Sequence, residues 1–233
     1  MAAALVIANH GDDDPGLVGE HLATRGYHVT TLIRETDEPW PAPHTTDLVV
    51  ILGSEWSVYS GSVRARVERE CSFVVAAVHA DLPVLGICFG AQIIAAALGG
   101  TVKPADHQEL GWLDIEPAGD ARLADELIEP GPWFQWHSDT FTLPPGARLL
   151  ASSGVGPQAF TLGSAFAVQF HPEVTPGIVG RWAASDPVPL GQAGFDAKTI
   201  VARTAHEQTR VRAATARLVD GFLYGAAETR GTR

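Results

Sequence analysis

The residue with the clearest chemical potential is Cys88, one of two cysteines in a chain of 233 residues. It stands in the string Gly86-Ile87-Cys88-Phe89-Gly90, between an apolar run at 83–87 and a helix-like run at 90–100. A tight turn from a strand into a helix lifts its central side chain out of the carboxyl edge of a sheet. The flanking glycines favour such a turn because a Cβ at either position would crowd it. The pattern therefore predicts a nucleophilic cysteine.

The surroundings of this turn predict further parts of a reaction centre. The backbone N–H of Phe89 is expected to point toward the sulfur's reaction zone as an oxyanion donor. The N-terminus of the following helix favours a negative charge on the sulfur, and Gln92 lies on the same helical face as Cys88. The alternative is that Cys88 is a small apolar core residue. Cys71, on the apolar face of a predicted helix, is interpreted as structural.

A base for the nucleophile is predicted at His171, at the end of the apolar run 166–170. Pro172 biases His171 toward an extended conformation, and residues two apart in an extended chain face the same side. Glu173 is therefore placed to hold one ring nitrogen while the other faces the thiol. The alternative is an ordinary turn at a strand end with a solvated glutamate.

Several strings together resemble the class I, triad-type glutamine amidotransferases, most closely the glutaminase domain of GMP synthases and the stand-alone proteins similar to it. The resemblance covers Ala3 to about Trp182. Its strings are GICFGAQ at 86–92, AVQFHPEV at 167–174, ILGSEWSVY at 51–59, ELGW at 109–112 and WHSD at 136–139.

The resemblance implies that Cys88 is the nucleophile, His171 the general acid and base, and Glu173 its orienting partner. It implies hydrolysis of the side-chain amide of glutamine through a γ-glutamyl thioester, with release of ammonia and without a metal or other cofactor. The residues implied for the oxyanion hole are Phe89, Ser54 and Gly53. Those implied for binding the amino-acid end of glutamine are Gln92, Trp136, His137, Ser138 and Asp139.

The chain departs from the family pattern at one place. Members of the family often have Gly-Gly-Pro where this sequence has Gly53-Ser54-Glu55. The second glycine supplies an oxyanion N–H in a backbone conformation that serine tolerates less well. Loss of one such donor costs roughly 100- to 1000-fold in rate, so the substitution bears on efficiency more than on the type of reaction.

The elements needed to position these residues are predicted from hydrophobic periodicity. Strands alternating with helices predict an α/β fold with a mostly parallel central sheet flanked by helices, as in the flavodoxin-like fold of the family. Shorter runs within 110–170 predict extra antiparallel strands. A single domain is expected over 1–233, with a core at about 3–182 and a C-terminal helical extension at about 195–227. The stretch 181–194 is predicted to be a loop.

Composition restricts the partners. The net charge is −11, which argues against a nucleic-acid or anionic-membrane partner because such binding needs basic patches. The chain has no run of about 20 apolar residues and no predicted signal peptide. Two cysteines give no disulfide framework, so a reducing, cytoplasmic location is expected.

Two other features were weighed as sites. The loop at 10–16 offers His10, Asp12, Asp13 and Asp14 as metal ligands, but a solvated loop beside the substrate is the favoured interpretation. Of the tryptophans, Trp133 and Trp136 are predicted to lie near the substrate.

Three functions remain open from the sequence. The first is a glutaminase that delivers ammonia to a separate synthetase subunit, because the residues after Glu173 contain no nucleotide-binding signature such as a P-loop. The second is a stand-alone hydrolase or transferase acting on γ-glutamyl compounds. The third is a catalytically weak regulatory or binding subunit, suggested by Ser54 and Glu55.

Overall fold

The structure is a computed structural model that describes residues 2–119, 127–129 and 131–231, with side chains up to residue 225. The strands β1 to β10 are Ala2–Ala8, Tyr27–Ile33, Leu48–Ile51, Val84–Ile87, Val102–Leu113, Glu116–Pro117, Trp133–Phe141, Arg148–Ser152, Pro157–Leu162 and Ala165–Val168. The helices α1 to α6 are Gly16–Thr24, Arg64–His79, Phe89–Ala97, Pro176–Ser185, Pro187–Gln192 and Ala197–Gly231.

The central sheet has the strand order β2-β1-β3-β4-β10-β9-β8-β6. The pairs from β2 through β10 are parallel, and those from β10 to β6 are antiparallel. This confirms the predicted α/β fold with a mostly parallel sheet. β3 and β4 are buried along their whole length, as expected for parallel strands covered on both faces.

Helices cover both faces of the sheet. Along β1, Ala4, Val6 and Ala8 pack in one buried cluster with residues of α1 and α6. Leu5 and Ile7 pack in the other cluster, with residues of α2 and α3. This alternation follows from the two-residue period of side chains along a strand. The C-terminal helix is therefore part of the main core.

The strand order also determines where a crevice forms in the structure. The chain runs from β1 to β2 on one side of β1 and then returns to β3 on its other side. At such a reversal the loops that follow the strands diverge, which leaves a crevice at the carboxyl edge of the sheet. The loops after β1, β3, β4 and β10 meet at this edge.

A separate two-stranded antiparallel sheet is formed by β5 and β7. β5 begins at Val102, well before the alternating run predicted from residue 111. Its first part is mostly exposed, and the pairing shifts register between Pro104 and Glu109. With so few buried positions, this part shows no apolar alternation that periodicity could detect.

The prediction of a loop at 181–194 was wrong, because the stretch contains the end of α4 and all of α5. α5 begins at Pro187, and proline is well tolerated at the start of a helix, where its missing N–H has no helical partner. Thr175 caps α4 by accepting a hydrogen bond from the Ile178 N–H at 3.2 Å. Of α5, Leu190 is buried in an apolar cluster, and the Pro189 carbonyl accepts a hydrogen bond from Gln108 Nε2 at 3.0 Å. No helix in the described ranges is long and apolar enough to cross a bilayer.

Candidate active site

The turn between β4 and α3 holds Cys88 in an unusual backbone conformation, with φ 52° and ψ −108°. Non-glycine residues rarely adopt positive φ, and such strain is concentrated at functional sites. Two backbone hydrogen bonds hold the turn: the Cys88 N–H donates to the Val168 carbonyl at 2.8 Å, and the Gln92 N–H donates to the Cys88 carbonyl at 3.1 Å. The Cys88 side chain is 5% exposed.

Close packing explains the two glycines beside Cys88. A Cβ at Gly86 would lie 2.6 Å from the Gly90 carbonyl oxygen, and a Cβ at Gly90 would lie 2.1 Å from the Ile51 carbonyl oxygen. Both distances are far inside van der Waals contact. Any side chain at these positions would push α3 away from β3 and β4, and would displace the cysteine between them.

His171 meets the cysteine across the sheet edge. β10 ends at Val168, two residues before the end of the apolar run predicted as a strand, so His171 follows the strand after a short gap. Its backbone N–H donates to the Phe134 carbonyl on β7 at 2.8 Å. A Cβ on Gly53 would lie 3.1 Å from His171 Cε1 and 3.7 Å from Cys88 Cβ. The imidazole, the cysteine and the loop after β3 therefore converge on one point.

Glu173 orients the imidazole. Its Oε1 lies 2.7 Å from His171 Nδ1, and both side chains are almost completely buried. Nε2 of His171 makes no hydrogen bond within the described part of the chain. Burial lowers the pKa of His171, but the negative charges of Glu173 and Cys88 outweigh it and hold that pKa well above its ordinary value. The site thus favours the imidazolium form of His171 beside the Glu173 carboxylate.

The C-terminal helix supports the segment that carries this pair. On α6, Thr215 donates from Oγ1 to the Pro172 carbonyl at 2.7 Å, and Gln208 donates from Nε2 to the Val174 carbonyl at 3.2 Å. From the opposite side, the Leu17 N–H at the start of α1 donates to the Glu173 carbonyl at 2.9 Å. The backbone on either side of Glu173 is therefore fixed by two helices.

We expect Thr215→Val to loosen this segment. The change keeps the side-chain shape but leaves the buried Pro172 carbonyl without its donor, which costs about 1–3 kcal/mol of unfolding free energy. The turnover number should fall by about 3- to 10-fold, corresponding to roughly 1 kcal/mol in the barrier. Thermal unfolding and ammonia release measure the two effects, and Thr215→Ser, which retains the hydroxyl, should restore both. Unchanged turnover in a destabilised valine variant would limit Thr215 to a structural role.

A small cavity of about 180 Å³ adjoins Cys88 on one side. Its lining includes Phe89, predicted as an oxyanion donor, and brings together the residues that the sequence predicted to bind substrate: Gln92, Trp136, His137, Ser138 and Asp139. Gln92 donates from Nε2 to Oε1 of Gln169 at 3.2 Å. The Cys88 thiol donates to the Trp136 carbonyl, with the sulfur 3.8 Å from the oxygen.

Two of these predicted residues have partners that were not foreseen. Asp139 accepts hydrogen bonds from the hydroxyls of Ser57 at 2.8 Å and Tyr59 at 2.7 Å, so it ties the loop after β3 to β7. His137 lies 3.0 Å from the Glu109 carboxylate. Burial raises the pKa of Glu109, but hydrogen bonds, first that of His137, lower it overall. All three partners lie in strings that carried the family resemblance, although their roles could not be read from spacing.

A larger cavity of about 600 Å³ adjoins Cys88 on the other side and is lined by Gly53, Ser54, Trp136 and His171. The Trp182 ring lies 4.8 Å from the His171 ring, edge to face. Trp182 belongs to α4, part of which was predicted to be loop, and its contact with His171 was not predicted. Trp133 was predicted to lie near the substrate, which was wrong: it is fully buried and stacks on Phe170 at 4.5 Å.

The loop after β1 also borders the larger cavity, through Asn9, His10, Gly11 and Asp12. This agrees with the interpretation of a loop beside the substrate. Within the residues that the structure describes, no group of three or more histidine, cysteine, aspartate or glutamate side chains is arranged to hold a metal ion.

The loop after β3 takes a conformation that serine tolerates. Among the described non-glycine residues, positive φ is confined to Asp81 and Cys88, so Ser54 is not strained in the way its replacement of glycine suggested. Its Oγ accepts a hydrogen bond from the Trp56 N–H at 3.1 Å. Beneath the loop, the fully buried Arg34 donates to the Leu52 carbonyl at 2.9 Å and its guanidinium lies 4.9 Å from the Phe89 ring.

Known proteins match this arrangement in sequence and in structure. A family model described as glutamine amidotransferase class-I matches residues 18–183. The glutamine-hydrolysing GMP synthase of Bordetella parapertussis is 32% identical over 194 residues, covering 78% of this chain and 36% of that protein. The GMP synthase of Bordetella avium is 39% identical over 199 residues, with the same two coverages of 78% and 36%. The chain thus spans about a third of the length of these relatives.

Solved structures agree over nearly the whole chain. The crystal structure of a glutamine amidotransferase from Thermotoga maritima superposes with a TM-score of 0.83 at 25% identity, covering 95% of this chain and 97% of that one. The crystal structure of a glutamine amidotransferase from Methylobacillus flagellatus superposes with a TM-score of 0.83 at 23% identity, covering 96% and 94%. At that identity the second match shows the fold alone.

Proposed function

The chain belongs to the class-I glutamine amidotransferase family, and from that membership we propose that it hydrolyses the side-chain amide of glutamine with Cys88, His171 and Glu173 as its catalytic triad. The observation that carries the proposal is the buried pairing of His171 with Glu173 at 2.7 Å beside a cysteine held at φ 52°. A thiolate, a proton donor and an orienting carboxylate are the parts that amide hydrolysis through a thioester requires.

The proposed reaction has two halves. The Cys88 thiolate attacks the δ-carbon of glutamine, and backbone N–H groups of Phe89 and of the Gly53–Ser54 loop stabilise the oxyanion. His171 gives its proton to the departing nitrogen, and ammonia leaves as the γ-glutamyl thioester forms. Water then loses a proton to His171 and attacks the thioester, which releases glutamate and restores the thiolate.

The small cavity is proposed to hold the amino-acid end of glutamine. Gln92, Trp136 and Ser138 line it, and His137 and Asp139 contribute from β7. The Asp139 carboxylate accepts from two hydroxyls and keeps lone pairs for the α-ammonium of the substrate. Because Asp139 also ties down the loop after β3, substrate binding and oxyanion geometry would be coupled.

The fate of the ammonia is a separate proposal. The relatives named above are glutamine-hydrolysing GMP synthases, and this chain matches about a third of their length. We infer that the ammonia is used by a synthetase, as a separate subunit or partner. The cytoplasmic location and the organisation of residues 1–233 as a single domain also remain predictions.

The test is ammonia release from L-glutamine, with L-asparagine as the control substrate that is shorter by one methylene. We expect hydrolysis of glutamine alone, because only its amide carbon would reach Cys88 when the amino-acid end is bound. The same protein should form a covalent adduct with the glutamine analogue diazo-oxo-norleucine, seen as a mass increase on the peptide containing Cys88. If neither ammonia nor an adduct appears, the chain is instead a binding or regulatory member of the family.

A further inference from the structure

The two cavities that meet at Cys88 are not equivalent with respect to the proton donor. Cys88 and Trp136 line both, but His171 lines the larger cavity and does not line the smaller one. A general acid must lie within hydrogen-bond reach of the atom that it protonates. If the amino-acid end of the substrate occupies the small cavity, the departing nitrogen faces the large one.

The large cavity exceeds the needs of ammonia. Its volume is about 600 Å³, against about 180 Å³ for the cavity that would hold the glutamyl group. Ammonia is similar in size to a water molecule, which occupies about 30 Å³ in the liquid. The space on the leaving-group side is large enough for an organic amine.

The charged residues that line the large cavity would favour the binding of a cation. The lining includes the carboxylates of Asp12 and Glu35 and, shared with the small cavity, those of Glu55 and Asp186. The guanidinium in the lining, that of Arg181, is paired with Asp14 at 2.9 Å. The carboxylates therefore leave a local excess of negative charge, which attracts a positively charged group.

Two tryptophan rings in the lining would also favour the binding of a cation. The indoles of Trp136 and Trp182 both line the cavity, 6.0 Å apart and nearly perpendicular. The face of an indole attracts an ammonium group electrostatically. Trp182 is fixed by a hydrogen bond from its Nε1 to Asp12 at 2.8 Å, which places a carboxylate next to the ring.

Asn9, from the loop after β1, also lines the large cavity. Asn9 is 7% exposed and donates from Nδ2 to Glu35 at 2.7 Å, which fixes the orientation of its amide. Its Oδ1 has no hydrogen-bond partner within the described residues. Asn9 thus holds the Glu35 carboxylate in place in the cavity wall.

We propose that this enzyme also hydrolyses γ-glutamyl amides of amines that carry a second, cationic nitrogen, with the amine held in the large cavity. The proposal rests on the proposed function, because the same cysteine and histidine would act. The thiolate forms a C–S bond to the δ-carbon of the glutamyl group, which is the amide carbonyl carbon. The C–N bond then breaks, and His171 supplies the proton that releases the amine. Water then cleaves the thioester, so the products are glutamate and a diamine.

A matched pair of substrates tests the charge requirement. The γ-glutamyl amide of 1,3-diaminopropane and that of n-butylamine have side chains of equal length and differ by an ammonium in place of a methyl group. We expect kcat/KM for the cationic amide to exceed that for the neutral one by about 10-fold or more, equivalent to about 1.4 kcal/mol. Equal values would overturn the proposal.

Comparison with L-glutamine also distinguishes failure of this proposal from failure of the proposed function. L-Glutamine is measured in parallel with the two amides, by detection of released glutamate. Glutamine turnover with both amides inert would overturn the amine site and leave glutamine hydrolysis standing. Inertness of all three compounds, together with no covalent adduct on Cys88, would overturn both.

A charge-neutral variant locates the amine site. Asp12→Asn keeps an acceptor for the Trp182 N–H but removes one carboxylate from the cavity. We expect the ratio of kcat/KM for the cationic and neutral amides to fall by about 3- to 10-fold, or about 1 kcal/mol. Asp13→Asn is the matched control, since Asp13 is exposed in the same loop and does not line the cavity. Equal loss in both variants would show a general charge effect and overturn the assignment.

Discussion

Cys88→Ala abolishes ammonia release from glutamine, by about 10⁴-fold or more, while the protein remains folded. Cys88 is the cysteine that lines the large cavity together with His171, and removal of a nucleophile generally costs several orders of magnitude in kcat. The fold should persist because the change removes one buried sulfur and leaves both flanking glycines in place. Ammonia release measures the first effect, and circular dichroism with a thermal melt measures the second.

Cys71 is the natural control for this experiment. It lies on α2, and burial raises the pKa of its thiol to about 11, so almost none is thiolate at neutral pH. Cys71→Ala should retain activity and still form the diazo-oxo-norleucine adduct, whereas Cys88→Ala should form none. An adduct on Cys71, or activity in the Cys88 variant, would contradict the assignment of the nucleophile.

The local geometry of the site could be predicted because its signals lie in short stretches of sequence. The spacing of Gly86, Cys88 and Gly90 encodes a turn that sterics alone enforce. The two-residue spacing of His171 and Glu173 encodes a shared side in an extended chain. Both are properties of a few consecutive residues. Their meeting in space follows from the parallel pairing of β4 with β10, which the alternation of strands and helices predicted in outline.

The partners of these residues could not be predicted, because they depend on packing between distant segments. Trp182 reaches His171 only because α4 folds over β7. Thr215 reaches the Pro172 carbonyl only because α6 packs in the main core. Arg34 follows an edge strand, β2, where a charged residue is ordinarily taken as exposed. No periodicity within one element records such contacts.

The second large effect is expected for Glu173→Gln. The change keeps the size of the side chain and an oxygen that can accept from His171 Nδ1, but it removes the negative charge. Loss of the orienting carboxylate in a serine triad lowers kcat by about 10⁴-fold, and we expect a fall on the order of 10²- to 10⁴-fold here. Glu68→Gln, at an exposed position on α2 paired with Arg64, should have no effect on kcat.

The pH profile distinguishes an electrostatic role from a merely structural one. Burial lowers the pKa of His171, but its interactions with Glu173 and Cys88 outweigh burial and hold that pKa well above its ordinary value. The active imidazolium should therefore persist above about pH 6.5, the ordinary histidine value, and the alkaline limb of kcat/KM should lie correspondingly high. In Glu173→Gln the pKa of His171 falls, so that limb should move to lower pH.

The raised pKa of His171 should also make the free energy of unfolding depend on pH. A group whose pKa is higher in the folded than in the unfolded state adds stability that is complete below the unfolded value of about 6.5 and is lost as pH rises through the folded value. The wild-type unfolding free energy should therefore decline as pH rises above about 6.5, with a smaller decline in Glu173→Gln. Denaturant titrations across this range measure both slopes. If the wild type and Glu173→Gln show the same dependence of unfolding free energy on pH, and the alkaline limb of kcat/KM does not move, then Glu173 does not stabilise the charge on His171.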